Sequence, residues 1–251
     1  MSAQLYIYGI HSVLHPLQNE PGSIVEIWIK ESRRDARLQQ IFALAHQHHI
    51  LVHACQVGEL DSLSQNGNHQ GVVALQRSIQ EYSETELEHS QLQRDSALLL
   101  ALDGVQDPYN LGACMRTAEA AGVAGIIIPK NRAAGLTPTV IKVASGAAGH
   151  LPIYRVTNLV RTLQALKDQG YWIMGADACA EQLLYAVEMT APFLCLVLGG
   201  EGKGLRRLTR ENCDHLVKIP MVGKVESLNV SVATAICIYE ALRQRRAQEM
   251  V

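Results

Sequence analysis

Apolar residues follow two different rhythms on either side of a polar stretch at residues 81–95 (EYSETELEHSQLQRD). Upstream, VEIWIK (25–30) alternates as a short strand and RLQQIFALAHQHH (37–49) repeats its apolar positions at helical spacing. ILVHA (50–54) predicts a second strand, and a loop rich in Gly, Asn and Ser leads to a third at GVVAL (71–75), which together make a small α/β module. Downstream, unbroken apolar runs bounded by Gly and Pro alternate with helical segments. The order is ALLLAL (97–102), a helix over 111–121, GIIIP (125–129), a helix near 138–145, LPIYRV (151–156), a helix over 158–168 and YWIMGA (171–176). FLCLVL (193–198) and LVKIP (216–220) add two strands, and a helix over 229–246 follows. Runs this apolar belong to strands buried on both faces, hence to a parallel sheet with crossover helices. The boundaries predicted are a first domain over 1–76, a linker over 77–95 and a second domain over 96–251.

Composition changes this picture little. A chain of 251 residues with 48% apolar content can bury a large core. The net charge of −2 gives no global basic field, so indiscriminate coating of nucleic acid is excluded. Charge is nevertheless grouped: Arg206, Arg207 and Arg210, then Arg243, Arg245 and Arg246, form local basic patches, and such patches hold phosphate without a basic total. Cys55, Cys114, Cys179, Cys195, Cys213 and Cys237 contain no C-x-x-C pair, and Cys195 and Cys237 sit inside apolar runs as small hydrophobes. Seven of the ten histidines precede residue 76 without metal-ligand spacing, so no metal site is expected. No apolar run is long enough for a membrane helix, and MSAQLYIYGI lacks the basic start of a signal peptide, which places the expected location in the cytoplasm.

Open α/β sheets bind ligands at the carboxyl ends of their strands, and three segments fit that position. In DGVQDPYNLGACMRTAEAAG (103–122) a strand end gives way to a turn and a helix, with Asn110 as a natural N-cap and Arg116 in the helix beyond it. LGGEGKGL (198–205) is a glycine-rich turn directly after a strand, carrying Glu201. Its glycines at 199, 200, 202 and 204 never supply the last spacing of the dinucleotide motif G-x-G-x-x-G, and the P-loop fails because Lys203 is followed by Gly204; a nicotinamide-dependent oxidoreductase, which the α/β alternation would suit equally well, lacks its fingerprint here. IPMVGKVESLNVSVATAICIYEALRQ (219–244) passes from a strand end into the last helix, with Ser227 and Asn229 where that helix begins. Either residue can cap the helix without any further role.

Taken in this order, the three segments closely resemble the motifs of the SpoU (TrmH-like) branch of the SPOUT RNA methyltransferases: NLGACMRTAEAAG the first, LGGEGKGL the second and IPMVGKVESLNVSVATAICIYEALR the third. YGIHSVL (8–14) and NHQGVVA (68–74) resemble the L30e-like RNA-binding domain of members that methylate a guanosine ribose in large-subunit rRNA. The loop reads ESLNVS where some relatives have consecutive serines, a departure at Glu226. The resemblance implies a C-terminal SPOUT-type parallel sheet tied in a trefoil knot, a homodimer with each active site near the subunit interface, and S-adenosylmethionine held at Gly199, Ile219 and Leu228. It implies catalytic surroundings of Asn110, Arg116, Glu201 and Asn229, with Ser227 and Arg116 toward the RNA. The implied substrate is 23S rRNA or a large-subunit assembly intermediate. A tRNA or antibiotic-resistance methyltransferase of the same family, or a noncatalytic RNA-binding protein with this fold, is the alternative.

Overall fold

The computed structural model describes residues 5–31, 35–76, 79–90, 96–202 and 204–249. The chain forms two compact units, Met1–Ile79 and Gln80–Val251. The first unit runs β1 (Leu5–Tyr8), α1 (Ile10–Asn19), a 3-10 turn at Pro21–Ser23, β2 (Ile24–Lys30), α2 (Ala36–Gln47), β3 (Leu51–Cys55), α3 (Val57–Leu63) and β4 (Val72–Gln76). Its sheet has the order β1-β4-β2-β3, with β2 and β3 parallel and the β4 pairings antiparallel. Val13 and Leu17 of α1 and Ile41 and Ala45 of α2 pack with Ile27 and Ala74 in one core. Neither β1 nor α1 follows from periodicity, because the strand is only four residues long and Pro16 lies inside the helix. Gly9 joins them at φ +92°, a left-handed conformation that glycine adopts without a Cβ penalty. The backbone N–H of Ile10 donates to Gln70 Oε1 at 3.0 Å, so YGIHSVL and NHQGVVA are two halves of one junction.

The second unit contains β5 (Glu81–Ser83), α4 (Glu84–His89), β6 (Ala97–Asp103), α5 (Pro108–Ala120), β7 (Gly125–Pro129), α6 (Pro138–Ala144), α7 (Ala147–His150) and β8 (Ile153–Val156). It continues through α8 (Leu159–Asp168), β9 (Trp172–Ala176), β10 (Gln182–Leu183), β11 (Phe193–Gly199), α9 (Arg207–Glu211), β12 (His215–Lys218) and α10 (Val230–Glu249). These strands form one sheet in the order β10-β12-β9-β11-β6-β7-β8-β5, and every registered pair is parallel. All seven residues of β6 are buried, which is why ALLLAL carries no polar alternation. One face packs Leu99, Ala101, Ile127, Val197 and Ile173 against Leu163 and Leu166 of α8.

The polar stretch corrects the expected linker. Residues 81–83 pair with β8 and 84–89 form α4, so this part of the segment belongs to the second sheet; residues 77–78 and 91–95 lie outside the described ones. Two of the acidic residues that mimic a solvated linker make specific bonds in the folded unit. Ser83 and Glu86 form a reciprocal capping box, and Glu84 accepts from the Thr157 N–H at 2.9 Å and from Arg161 at 2.5 Å. The Thr157 N–H is the main cause holding the Glu84 carboxyl below its ordinary range, with Arg161 adding to it.

Gly112 shows how closely α5 packs. A Cβ there would lie 2.7 Å from Val143 Cβ and 2.8 Å from the Val140 carbonyl oxygen on α6. Gly to Ala inside a helix normally gains about 1 kcal/mol. Here Gly112→Ala is expected to destabilise by about 1–3 kcal/mol through overpacking, read as a lowered thermal midpoint. An unchanged or raised midpoint would show that α6 yields at no cost.

Candidate active site

β6 and β11 are neighbours in register, with Gly199 opposite Asp103, so their strand-end turns leave the sheet side by side. Two glycines make this juncture possible. A Cβ on Gly199 would sit 2.0 Å from the Gly204 carbonyl carbon, and one on Gly200 would sit 2.4 Å from the Gly104 carbonyl oxygen. These glycines thus permit a close backbone approach between the protein's own chain segments. Gly200 N–H donates to the Asp103 carbonyl at 3.0 Å, and Gly204 N–H to Gly200 at 3.1 Å. The turn is thus a closed loop that projects Glu201.

Helix α5 starts at Pro108, three residues before the expected position. Asp107 is its N-cap, accepting from the Tyr109 N–H at 3.2 Å, and Pro108 occupies the first turn. Asn110 is accordingly not the cap. Released from that task and buried, its side chain donates from Nδ2 to Glu201 Oε1 at 2.6 Å. Asn229 Nδ2 donates to the same Glu201 oxygen at 2.9 Å and to Asn110 Oδ1 at 2.9 Å. The other end of Asn229 does cap α10: its Oδ1 accepts from the Ser231 N–H at 2.9 Å and from Ser231 Oγ at 2.6 Å. Capping and site-building are compatible because the amide has two ends. Three segments far apart in sequence thus meet on one carboxylate oxygen.

Glu201 also lines a cleft of about 780 Å³ across the carboxyl ends of β9, β11 and β12. Gly199, Ile219, Ser227 and Leu228, all singled out from sequence, line it as well. Apolar groups from Leu198, Ile219 and Leu228 stand beside open backbone at Gly202 and Gly204, where a Cβ would meet nothing within 4 Å. A cleft of this size, with apolar walls and exposed peptide groups, fits a nucleoside-bearing cofactor such as S-adenosylmethionine. Sequence reading missed two parts of the wall. Asp177 and Cys179 follow β9, and Arg210 reaches in from α9 to pair with Asp177, Nε to Oδ2 3.3 Å. The end of YWIMGA was the available signal, since β9 lies between two strands whose ends carry motifs.

Arg116 stands apart from the trio. It is exposed on α5, has no hydrogen bond or ion pair among the described residues, and lies about 120° around the helix from Asn110. Glu226 lines the cleft and is exposed. Burial pushes the Cys114 thiol up to about 11 and the Cys213 and Cys237 thiols to about 12, so these three stay protonated at neutral pH. No helix among the described residues is long and apolar enough to cross a membrane.

Residues 97–239 match the family model for the SpoU rRNA Methylase family, and residues 6–82 match that for RNA 2′-O ribose methyltransferase substrate binding. The chain is 48% identical over 250 residues to the 23S rRNA (guanosine-2′-O-)-methyltransferase RlmB of Pseudomonas putida, spanning 99% of this chain and 100% of that protein. Among solved structures, an RNA 2′-O ribose methyltransferase superposes with a TM-score of 0.73 at 28% identity, over 97% of this chain and 89% of the other. The SpoU methyltransferase AviRb from Streptomyces viridochromogenes, in complex with AdoMet, shares the fold with a TM-score of 0.76 at 22% identity, over 97% and 91%. With three ordered motifs converging on one site, a family match over more than half its length and a relative aligned end to end, the chain belongs to the SpoU rRNA Methylase family.

Proposed function

We propose that this protein transfers the methyl group of S-adenosylmethionine to the ribose 2′-oxygen of a guanosine in 23S ribosomal RNA. The observation that carries the reading is the meeting of Asn110, Glu201 and Asn229 at the edge of a cofactor-sized cleft. The 48% identical relative from Pseudomonas putida, named for this reaction, supports the substrate. Bound in the cleft, the cofactor supplies an electrophilic methyl on a sulfonium. Gly199, Ile219 and Leu228 hold it, while Asn110 and Asn229 fix Glu201 so that the rim is rigid before the RNA arrives. A ribose hydroxyl is a weak nucleophile, so alignment and charge stabilisation are what the site must provide. Ser227 and Arg116 face the RNA. Arg116 serves by electrostatic positioning, because a guanidinium offers a fork of N–H donors and no acceptor for a proton. A reaction that needs a 2′-hydroxyl excludes DNA as substrate.

The first unit, which matches the substrate-binding family model, selects the RNA, whether free or in a large-subunit assembly intermediate, by shape and loops. A homodimer fits the exposed Tyr239 and Val232 on α10 and the groove of about 690 Å³ between α10 and the end of α5. The trefoil knot belongs to the same reading. Its support is the return of the chain after β12 to the 199–204 loop, where Asn229 joins Glu201. Purified protein with methyl-labelled S-adenosylmethionine and separate rRNA and tRNA pools is expected to label large-subunit rRNA; label confined to tRNA would overturn the substrate. Arg116→Ala is expected to lose about 10²-fold or more in transfer rate, as loss of a transition-state contact does. Full activity in that variant would remove Arg116 from the mechanism.

A further inference from the structure

The three arginines that follow the glycine-rich loop have separate fates. Arg207 pairs with Glu211 on its own helix, Nη1 to Oε1 2.7 Å, and Arg210 turns into the cofactor cleft toward Asp177. Arg206 faces the other way, toward the end of β6. Its backbone N–H donates to Asp103 Oδ2 at 2.9 Å, and its guanidinium Nη1 stands 3.4 Å from Asp103 Oδ1. The Asp103 side chain is 1% exposed and that of Arg206 is 43% exposed. Asp103 Oδ1 has no hydrogen-bond partner among the described residues. A buried carboxylate with an orphan oxygen costs stability unless a nearby cation offsets it. That requirement fixes where the guanidinium sits, and the 43% exposure of the side chain leaves open donors that Asp103 does not use.

The surroundings show what those open donors face. A Cβ on Gly104 would lie 3.0 Å from Arg206 Nη2 and 3.5 Å from the Arg132 carbonyl oxygen, so the guanidinium lies against the turn that leads to Asn110. The Ala134 N–H donates to the Val105 carbonyl at 2.8 Å, and Arg155 donates to the carbonyls of Ala134 and Lys130 at 3.1 and 3.4 Å. These bonds hold the 130–134 loop, with exposed Lys130 and Arg132, along the same rim. Arg206 is not among the residues lining the cleft, which leaves the cofactor to other groups.

We propose that Asp103 and Arg206 form a preassembled receptor for an RNA phosphodiester, in which Arg206 makes the contact and Asp103 holds it in place. The inference rests on the methyltransferase reading, which supplies the RNA. Guanidinium matches phosphate in a two-pronged geometry, and fixing the fork beforehand lowers the ordering cost on binding. Asp103 is a positioning residue, since it is shielded from any ligand.

The test measures binding of a 23S rRNA transcript by full-length protein over a range of salt concentrations, beside binding of S-adenosylmethionine. Arg206→Ala is expected to weaken RNA binding about tenfold and to lower the slope of log affinity against log salt by roughly 0.7–0.9, the value for one lost phosphate contact, with cofactor affinity unchanged. Arg206→Lys should fall between wild type and Ala, because it keeps the charge and loses the fork. Asp103→Asn should weaken RNA binding severalfold in the wild-type background and add nothing to Arg206→Ala, the coupling expected of two residues acting as a unit. An unchanged salt slope in Arg206→Ala, a parallel loss of cofactor affinity, or additive losses in the double variant would overturn the proposal. Failure of the methyltransferase reading would appear separately, as wild-type protein that transfers no label to any RNA.

Discussion

Replacing Asn110 by Asp is expected to reduce methyl transfer by about 10²- to 10³-fold while leaving S-adenosylmethionine affinity within a few-fold of wild type. The native amide donates to Glu201 Oε1 at 2.6 Å and accepts from Asn229 at 2.9 Å. Aspartate has nearly the same shape but no donor, and it places a second carboxylate against the first. Two like charges at that separation repel, so either Glu201 swings away or one acid takes up a proton. Both outcomes dismantle the rim without touching the cleft walls at Ile219 and Leu228. Single-turnover rates and direct cofactor binding, measured on the same preparation, separate the two effects. Equal losses in both would mean that Asn110 merely supports the fold. A normal rate would mean that the trio is not part of the catalytic arrangement.

The second large effect is expected at Gly199. An added methyl would lie 2.0–2.3 Å from Gly204 C, Gly204 O and Leu205 N, all of them backbone atoms that no rotamer change can move. Gly199→Ala must therefore open the loop that closes at Gly200 and Gly204 and carries Glu201. A cost of about 3 kcal/mol or more follows from forcing backbone aside, equivalent to a drop of roughly 10 °C in midpoint for a domain of this size. Cofactor affinity is expected to fall below detection in the same variant, because Gly199 and Gly200 form part of the cleft wall. Gly202→Ala is the control. Its site offers open space but requires φ +76°, so it should cost only about 1 kcal/mol, that of a left-handed alanine. If Gly199→Ala binds cofactor normally, the closed loop is not what shapes the cleft.

How much of this was legible in the sequence depended on whether the deciding contacts were local. β6, β7 and β11 were plain because burial on both faces leaves no polar residue to confuse the rhythm. β5 and α4 were hidden because a capping box needs Ser and Glu, the residues that also make linkers polar. Asn110 reads as a cap on local chemistry, but Asp107-Pro108 is the stronger start signal, and with Asp107 as the cap the Asn110 side chain donates to Glu201. For Glu201, Ser227 and Asn229, local chemistry allowed either capping or ligand binding. Convergence brings Glu201 and Asn229 together with Asn110, and it joins residues separated by 91 and 119 positions, which no periodicity reports. Ordered resemblance to a family carried that information instead. The pairing of Asp103 with Arg206 across 103 positions was invisible for the same reason.

The most direct measurement is the identity of the modified nucleoside. Large-subunit rRNA lacking the modification, incubated with this protein and methyl-labelled S-adenosylmethionine, can be digested to nucleosides and resolved by mass. A ribose held beside Glu201 should place all of the label in 2′-O-methylguanosine, and Asn110→Asp should slow the appearance of that peak by about 10²- to 10³-fold. Label on a base, or a guanosine peak that survives the substitution undiminished, would contradict the assignment of this strand-end rim to ribose methylation.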